Sequence, residues 1–315
     1  MSNLNIAILG FGNMGKIHYK AVLKNNLCND PIVIDNDMSK FDDYPEVVSF
    51  ESVEKVPKDV LESIDGAIIA TPSSLHLEHS QKFIENKISL LVEKPLTDSI
   101  ENDLALISEA KKNDLLLKCG LIELFNPIVQ DLSNTRFTDI KFVHFKRHSP
   151  KTSENRKLEN IITDLTLHDI SIVFKIFKPS KVDIIGCNLT YEDSVAESAQ
   201  ILLKVDDSYT IFLSTSRQDQ EKIRTLEIVD NDSTYTCDLK NKFYEIKKSG
   251  QIAAVDKYSI TESNVLNKID MLNKPETAEI QLESFLSSII KKEQDVAHLE
   301  IVEKTHQLAY RILNT

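Results

Sequence analysis

Three glycines constrain this chain more than any other feature. Gly10, Gly12 and Gly15 fall within six residues of a 315-residue chain that has only seven glycines. Residues 5–9 ahead of them form a short apolar run of the kind that makes a buried parallel strand, and residues 16–25 behind them read as a helix. A strand, a glycine turn and a helix in that order need each glycine for a separate mechanical reason. The first makes the tight turn, the second lets backbone N–H groups approach a pyrophosphate, and the third lets helix and strand pack closely. The phosphates would then lie at the helix N-terminus, where orphan N–H groups and the dipole favour an anion. A Gly-x-Gly-x-x-Gly is weak evidence alone, but here both flanks are right for a dinucleotide turn.

The alternation continues. Residues 31–34 form a second strand ending at Asp35, 20 residues past Gly15. An acidic side chain there takes the ribose hydroxyls and repels a 2′-phosphate, which favours NAD over NADP. Residues 65–70, 89–92 and 115–119 read as strands, with helices over 76–86 and 100–112. Such alternation specifies a parallel sheet with helices on both faces, an α/β Rossmann (doubly wound) N-terminal domain. Ligands of these sheets bind beyond the carboxyl ends of the strands. The segments at those ends are Thr71-Pro72-Ser73, Glu93-Lys94-Pro95 and the stretch after Gly120.

From residue 140 the period changes to two. Residues 141–147, 181–187, 200–205, 209–213, 224–230 and 234–247 read as strands, with Asp206-Asp207-Ser208 as a hairpin turn. This predicts an α+β C-terminal domain with a large, mainly antiparallel open sheet, followed by amphipathic helices over 275–292 and 296–313. The predicted division is residues 1–120 for the nucleotide and 121–295 for substrate binding and oligomerisation.

Composition narrows the function. A net charge of −12 repels phosphate backbones, and no basic stripe marks a nucleic-acid partner. No apolar run approaches the ~20 residues of a membrane helix, and the N-terminus carries no signal-peptide pattern. The four cysteines, Cys28, Cys119, Cys187 and Cys237, are widely spaced, which argues against a zinc site or a disulfide framework. The expectation is a cytoplasmic protein with reduced cysteines, no metal, no membrane and no nucleic acid.

Four motifs then occur in order along nearly the whole chain: Gly10 to Gly15, Ala70 to His76 with Thr71-Pro72 inside it, Val92-Glu93-Lys94-Pro95-Leu96, and Asp164 to Asp169 with His168 inside it. Together they resemble the glucose–fructose oxidoreductase, inositol dehydrogenase and rhizopine-catabolism (Gfo/Idh/MocA) oxidoreductases. Segments 120–127 and 164–170 look most like the UDP-N-acetylglucosamine 3-dehydrogenase subgroup. Members of that subgroup usually carry His and Arg where this chain has Leu121 and Leu124, and the glycines that commonly precede the Asp…His segment are replaced by residues 160–163. The resemblance implies that Lys94 lies near the nicotinamide and hydrogen-bonds the reacting hydroxyl. It makes His76 a loop-organising residue near the cofactor and returns the last helix, 296–315, to the nucleotide domain. It also implies a homodimer or homotetramer formed through the C-terminal sheet.

The residue chemistry agrees. An ammonium at Lys94 stabilises a developing alkoxide. Asp164 and His168, four apart on one helix face, combine a base for a hydroxyl proton with a carboxylate that orients it or binds a neighbouring hydroxyl. Arg147 and Arg156 flank or lie in the polar loop before that helix and offer bidentate donors for a substrate diphosphate. Asn126 joins the predicted substrate set of Lys94, Arg147, Arg156, Asp164 and His168. The predicted cofactor set is Gly10, Phe11, Gly12, Asn13, Met14, Gly15, Asp35, Thr71, Pro72, Ser73, His76, Glu93 and Lys94. His144 and His148 alternate with aromatics in a strand and read as surface or cleft residues, and His79, His298 and His306 as helix-surface residues. The expectation is an NAD-dependent oxidation of a secondary hydroxyl of a sugar nucleotide, with C3 of a UDP-N-acetylhexosamine first. Free sugars, inositols and sugar phosphates are alternative substrates. A non-catalytic dinucleotide-binding regulator is opposed by the presence of Lys94, Asp164 and His168 together.

Overall fold

A computed structural model describes residues 3–151, 160–248, 252–256, 259–262 and 265–315. In chain order its elements are β1 (Ile6–Leu9), α1 (Asn13–Lys24), β2 (Ile32–Ile34), β3 (Ser49–Phe50), α2 (Lys58–Glu62), β4 (Gly66–Ile69), α3 (His76–Glu85), β5 (Ser89–Val92), α4 (Ile100–Lys112), β6 (Leu117–Cys119), α5 (Pro127–Leu132), β7 (Phe142–His148), α6 (Leu167–Phe177), β8 (Val182–Glu192), β9 (Val195–Val205), β10 (Tyr209–Ser216), β11 (Ile223–Val229), β12 (Ser233–Asp238), β13 (Phe243–Lys248), β14 (Ile252–Asp256), β15 (Ser259–Glu262), β16 (Val265–Asp270), α7 (Thr277–Lys291) and α8 (Val296–Leu313).

One unit comprises Met1–Phe125 and Pro275–Tyr310. Its six strands, all parallel, run in the order β3-β2-β1-β4-β5-β6. Strand order reverses between β1 and β4, the topological switch point where doubly wound sheets bind dinucleotides. Strands β1, β4 and β5 are buried almost throughout because helices cover both sheet faces. Helix α7 belongs to this unit, not to the second half as its position after the strands suggested. Ala278, Leu282, Phe285 and Leu286, at helical spacing, pack into one core with Ile6, Ile8, Val33 and Ile68. The β6 edge is closed by side chains from the α7–α8 connection. Gln294 accepts from the Leu117 N–H at 2.8 Å and donates to its carbonyl at 2.9 Å, as a neighbouring strand would. Lys118, fully buried, reaches Asp295 and Ser284 at 2.8 and 2.9 Å.

The other unit comprises Asn126–Lys274 and Arg311–Thr315. Its eight-stranded sheet runs β16-β13-β12-β11-β7-β10-β9-β8, with β7 and β10 parallel and every other pair antiparallel. The three-residue β9–β10 turn, Asp206 to Ser208, places Asp206 and Asp207 at φ of 49° and 53°, a left-handed conformation that aspartate tolerates. One sheet face is core: Val143, Leu203, Ile211 and Ile228 are completely buried. On the other face His144, Phe212 and Leu202 stand in register across β7, β10 and β9 and are partly exposed. β14 and β15 form a separate two-stranded hairpin.

Candidate active site

The glycine turn is built by contacts that only glycine permits. Gly10 has φ +97°, and a Cβ there would lie 2.5 Å from the Ala70 carbonyl oxygen at the end of β4. A Cβ on Gly15 would lie 1.9 Å from the Gly10 carbonyl oxygen, so α1 and the β1 exit touch backbone to backbone. Gly12 differs: a Cβ there would meet nothing within 4 Å, and it occupies the N-cap of α1 without a side chain to fill the cap. This leaves open space over orphan N–H groups, which fits the phosphates of a dinucleotide. Phe11, in the predicted cofactor set, is completely buried among Tyr19, Phe41 and Tyr44, so its side chain belongs to the core. Its backbone N–H instead donates to Asp35 at 2.6 Å.

Asp35 ends β2 as the spacing required, and four donor contacts already surround it. Besides Phe11, the Asp37 N–H reaches Oδ1 at 2.9 Å, and the Lys40 ammonium lies 2.9 and 2.8 Å from the two oxygens. Burial alone would raise this carboxyl, but Lys40 and the two backbone N–H groups outweigh it and hold it below the ordinary range. Gly10, Gly12, Asn13, Met14, Asp35, Lys40, Thr71, Pro72, His79 and Lys82 line one cleft of about 590 Å³. Within it the His79 ring, pushed down in pKa by burial, lies 3.0 Å from the Thr71 hydroxyl.

The Glu93-Lys94-Pro95 turn follows β5. Glu93 is buried and its carboxylate sits 2.7 Å from the ring of His18 on α1. Lys94 is partly exposed. His76 lies between two carbonyl oxygens, Pro95 at 2.8 Å and Thr71 at 2.9 Å. His298 and His306 are not surface residues: both are buried on α8 and accept backbone N–H groups at strand exits, Cys119 and Leu96 respectively, each at 3.1 Å. Ser73, in the predicted cofactor set, opens a short 3₁₀ turn ahead of α3.

In the second unit, Asp164 lies in a π turn, Ile162–Thr166, that runs into α6, where a regular α-helix was predicted. Bonds there run i→i+5, a widening frequent at functional sites. Asp164 and His168 are buried. Arg217, just past β10, donates to Asp164 at 2.8 Å and lies 3.3 Å from Glu197. Two predicted substrate residues have other work. Arg147 is 2% exposed and held by Asp169, its Nε at 2.8 Å, which removes it from a substrate diphosphate. Asn126 is 3% exposed; its Oδ1 caps α5 at Ile128 N–H and its amide donates to the Leu239 carbonyl, so its role is structural. Arg156 lies outside the described residues.

Residues 4–121 match the model of an oxidoreductase family, Gfo/Idh/MocA, described as an NAD-binding Rossmann fold. Over its nucleotide-binding part the chain is similar to this oxidoreductase family. The UDP-N-acetylglucosamine 3-dehydrogenase of Acidithiobacillus ferrooxidans is 23% identical over 256 residues, 79% of this chain and 79% of its own. Its solved structure covers 99% of this chain and 96% of its own with a TM-score of 0.82 at 22% identity. The scyllo-inositol 2-dehydrogenase (NAD(+)) of Bacillus subtilis is 30% identical over 133 residues, 40% of this chain and 37% of its own. A 3-ketoreductase from Actinomadura kijaniata, solved with NADP and TDP-benzene, covers 99% of this chain and 98% of its own with a TM-score of 0.81 at 13% identity.

Two residues that hold predicted site carboxylates, one in each unit, escaped sequence reasoning. Lys40 stands five residues beyond Asp35, close enough to have been suspected. Arg217 is 53 residues from Asp164 and carries no local signal. Among the described residues no group of three or more His, Cys, Asp or Glu side chains is placed to hold a metal, and no helix is long and apolar enough to cross a membrane.

Proposed function

We propose that this protein is an NAD-dependent dehydrogenase that oxidises a secondary hydroxyl of a sugar nucleotide, with C3 of a UDP-N-acetylhexosamine as the first candidate. The observation that carries the cofactor reading is the turn itself: Gly10 and Gly15 press backbone on backbone while Gly12 leaves open room over the α1 N-terminus. Gly12, Asn13 and Met14 would hold the pyrophosphate, and Asp35 the adenosine ribose. A bound nicotinamide supplies the two-electron acceptor for the hydride leaving carbon. The chain's own residues manage the proton: His168 takes it from the hydroxyl, Lys94 stabilises the developing alkoxide, and Asp164 orients the base or a neighbouring hydroxyl. The sugar-nucleotide reading is supported by the likeness to the Acidithiobacillus enzyme over most of both chains.

A specific observation favours NADP as the second cofactor reading. A carboxylate has about four lone-pair sites, and Phe11, Asp37 and both Lys40 contacts already occupy Asp35. Lys40 also offsets the charge that would repel a 2′-phosphate. NAD requires the ribose hydroxyls to displace Lys40, whose side chain is one-third exposed. The partly exposed row of His144, Phe212 and Leu202 is the surface we assign to pairing with a second copy.

The test is a panel of sugar nucleotides, free sugars, inositols and sugar phosphates with NAD and NADP, read by absorbance of the reduced cofactor. Reduction of NAD by a UDP-N-acetylhexosamine is expected. Turnover confined to inositols or free sugars overturns the substrate, and binding of a dinucleotide without any turnover revives the regulator. Lys94→Ala should lower kcat by roughly 10²–10⁴-fold with modest loss of NAD binding.

A further inference from the structure

The peptide unit between Pro95 and Leu96 is gripped on both of its polar edges by buried histidines. On one edge the Pro95 carbonyl lies 2.8 Å from His76 Nδ1. On the other edge the Leu96 N–H donates to His306 Nε2 at 3.1 Å. His76 comes from α3 and His306 from α8, and each is 1% exposed. Leu96 is itself completely buried beyond the end of β5. Its N–H therefore has no water available and needs an acceptor from elsewhere in the fold.

The partners fix the state of each ring. His306 Nδ1 faces the Val302 carbonyl at 2.8 Å, one turn back on its own helix. That nitrogen must carry the proton, which leaves Nε2 as the lone pair that receives Leu96. The two contacts demand the same neutral tautomer. His76 instead faces two carbonyl oxygens, Pro95 and Thr71, and donates to both only with a proton on each nitrogen. The next residue is held as well. The Thr97 hydroxyl donates to Asp103 at 2.7 Å, and the Tyr310 hydroxyl donates to the Thr97 carbonyl at 3.3 Å. The titratable groups on this side of the turn include Asp103 and Tyr310, with Asp98 and Glu101 near them. Three consecutive residues after Lys94 are thus tied to three helices, while Lys94 itself stays partly exposed.

We propose that His306 is a positioning residue for Lys94: through its bond to the Leu96 N–H, opposed by His76 on the same peptide unit, it fixes the turn from which the Lys94 side chain projects. The proposal rests on the dehydrogenase reading for its effect on turnover, but not for its effect on Lys94. His306→Leu removes the acceptor at similar volume, whereas His306→Gln returns an amide oxygen to it. With a turned-over sugar nucleotide in hand, His306→Leu should lower kcat by about a hundredfold, as a displaced catalytic group does, with the KM for the dinucleotide nearly unchanged. His306→Gln should recover most of kcat. A parallel fall in kcat and dinucleotide binding, or no recovery by Gln, overturns the positioning role.

Two measurements decide the point even if the protein turns over no sugar. Long-range ¹H–¹⁵N spectra of the wild-type protein at pH 7 should show His306 as the neutral Nδ1–H tautomer; an Nε2–H or doubly protonated ring overturns the proposal. Reductive ¹³C-dimethylation reports Lys94, its signal assigned by loss in Lys94→Arg. That signal should move in His306→Leu and return in His306→Gln. A Lys94 signal identical in wild type and in folded His306→Leu overturns it. Should His306→Leu not fold, the tautomer and the His306→Gln spectrum still decide.

Discussion

Gly12 and Gly15 are three residues apart, yet an alanine at each should produce opposite results. Gly12 has φ −80° and ψ −160°, extended backbone open to any L residue, and its added Cβ meets nothing within 4 Å. Gly12→Ala should fold normally with little net change in stability, because the gain of about 0.4–1 kcal/mol from a less flexible unfolded chain is offset by alanine's poorer fit to the N-cap. The methyl would instead stand in the space left for the pyrophosphate. Forcing a methyl into a packed contact costs about 1–3 kcal/mol, which is roughly 5- to 140-fold in Kd. Gly15→Ala meets the Gly10 carbonyl oxygen at 1.9 Å, about 1 Å short of any real Cβ contact, and the obstacle is backbone. Helix α1 must then recede from β1, so thermal stability and dinucleotide binding should fall together. Thermal unfolding of the ligand-free variants and calorimetry with NAD and NADP separate the two effects. A Gly12→Ala protein that binds as tightly as wild type would falsify the placement of phosphates over the α1 N-terminus. Wild-type stability in Gly15→Ala would refute the backbone contact.

Five further variants test other contacts. Arg217→Met removes the guanidinium that bonds buried Asp164 and Glu197 and should cost about 3–5 kcal/mol in denaturant unfolding, more than Lys24→Met at an exposed pair. Two carboxyls should respond to pH with opposite signs, read as stability curves of wild type against each variant. Asp35 is held below its unfolded value, so its contribution is complete above about pH 4 and lost as pH falls through the lower folded value; Asp35→Asn should lose stability at neutral pH and converge with wild type in acid. Burial raises Asp103, so wild-type stability should fall as pH rises from the ordinary carboxylate range through the raised value, and Asp103→Asn should remove that fall. Lys40→Ala should weaken NADP more than NAD by calorimetry, and equal losses would remove Lys40 from the 2′ position. Phe212→Glu should dissociate any homo-oligomer in light scattering, whereas an unchanged mass excludes that sheet face.

The parts of the fold legible in the sequence are those whose cause is local. A glycine at φ +97° must be glycine whatever surrounds it, and a strand buried on both faces must be an unbroken apolar run. Asp35 was legible because the turn, helix and second strand set its distance from Gly15. Helix α7 was misassigned for the complementary reason: the apolar stripe of Ala278, Leu282, Phe285 and Leu286 says that one face is buried, but not against which sheet. Arg147 was misread because an arginine near a loop looks alike whether it meets solvent or a buried Asp169 22 residues away.

The histidines of α8 show why the remainder was not legible. His298 and His306 are eight residues apart, a spacing that returns each to the same helical face. On that face they stand beside Val302, Thr305 and Ala309, all buried. A polar residue on a half-apolar helix is read by default as outward. It turns inward only where the sheet presents an N–H that no strand can satisfy, and such N–H groups arise at strand exits, where the ladder stops and the ligand loops begin. Cys119 and Leu96 are two such exits. A doubly wound sheet must leave its carboxyl edge free of ladder bonds so that ligands can approach, and something neutral must still accept the buried N–H groups behind that edge. An imidazole held in one tautomer by its own helix does this without adding a charge. A carboxylate at 306 would accept the same bond, but as a second buried anion beside Asp103 it would cost several kcal/mol. His306→Glu should therefore destabilise the fold far more than His306→Gln, and equal melting temperatures for the two would show that the site does not need a neutral acceptor.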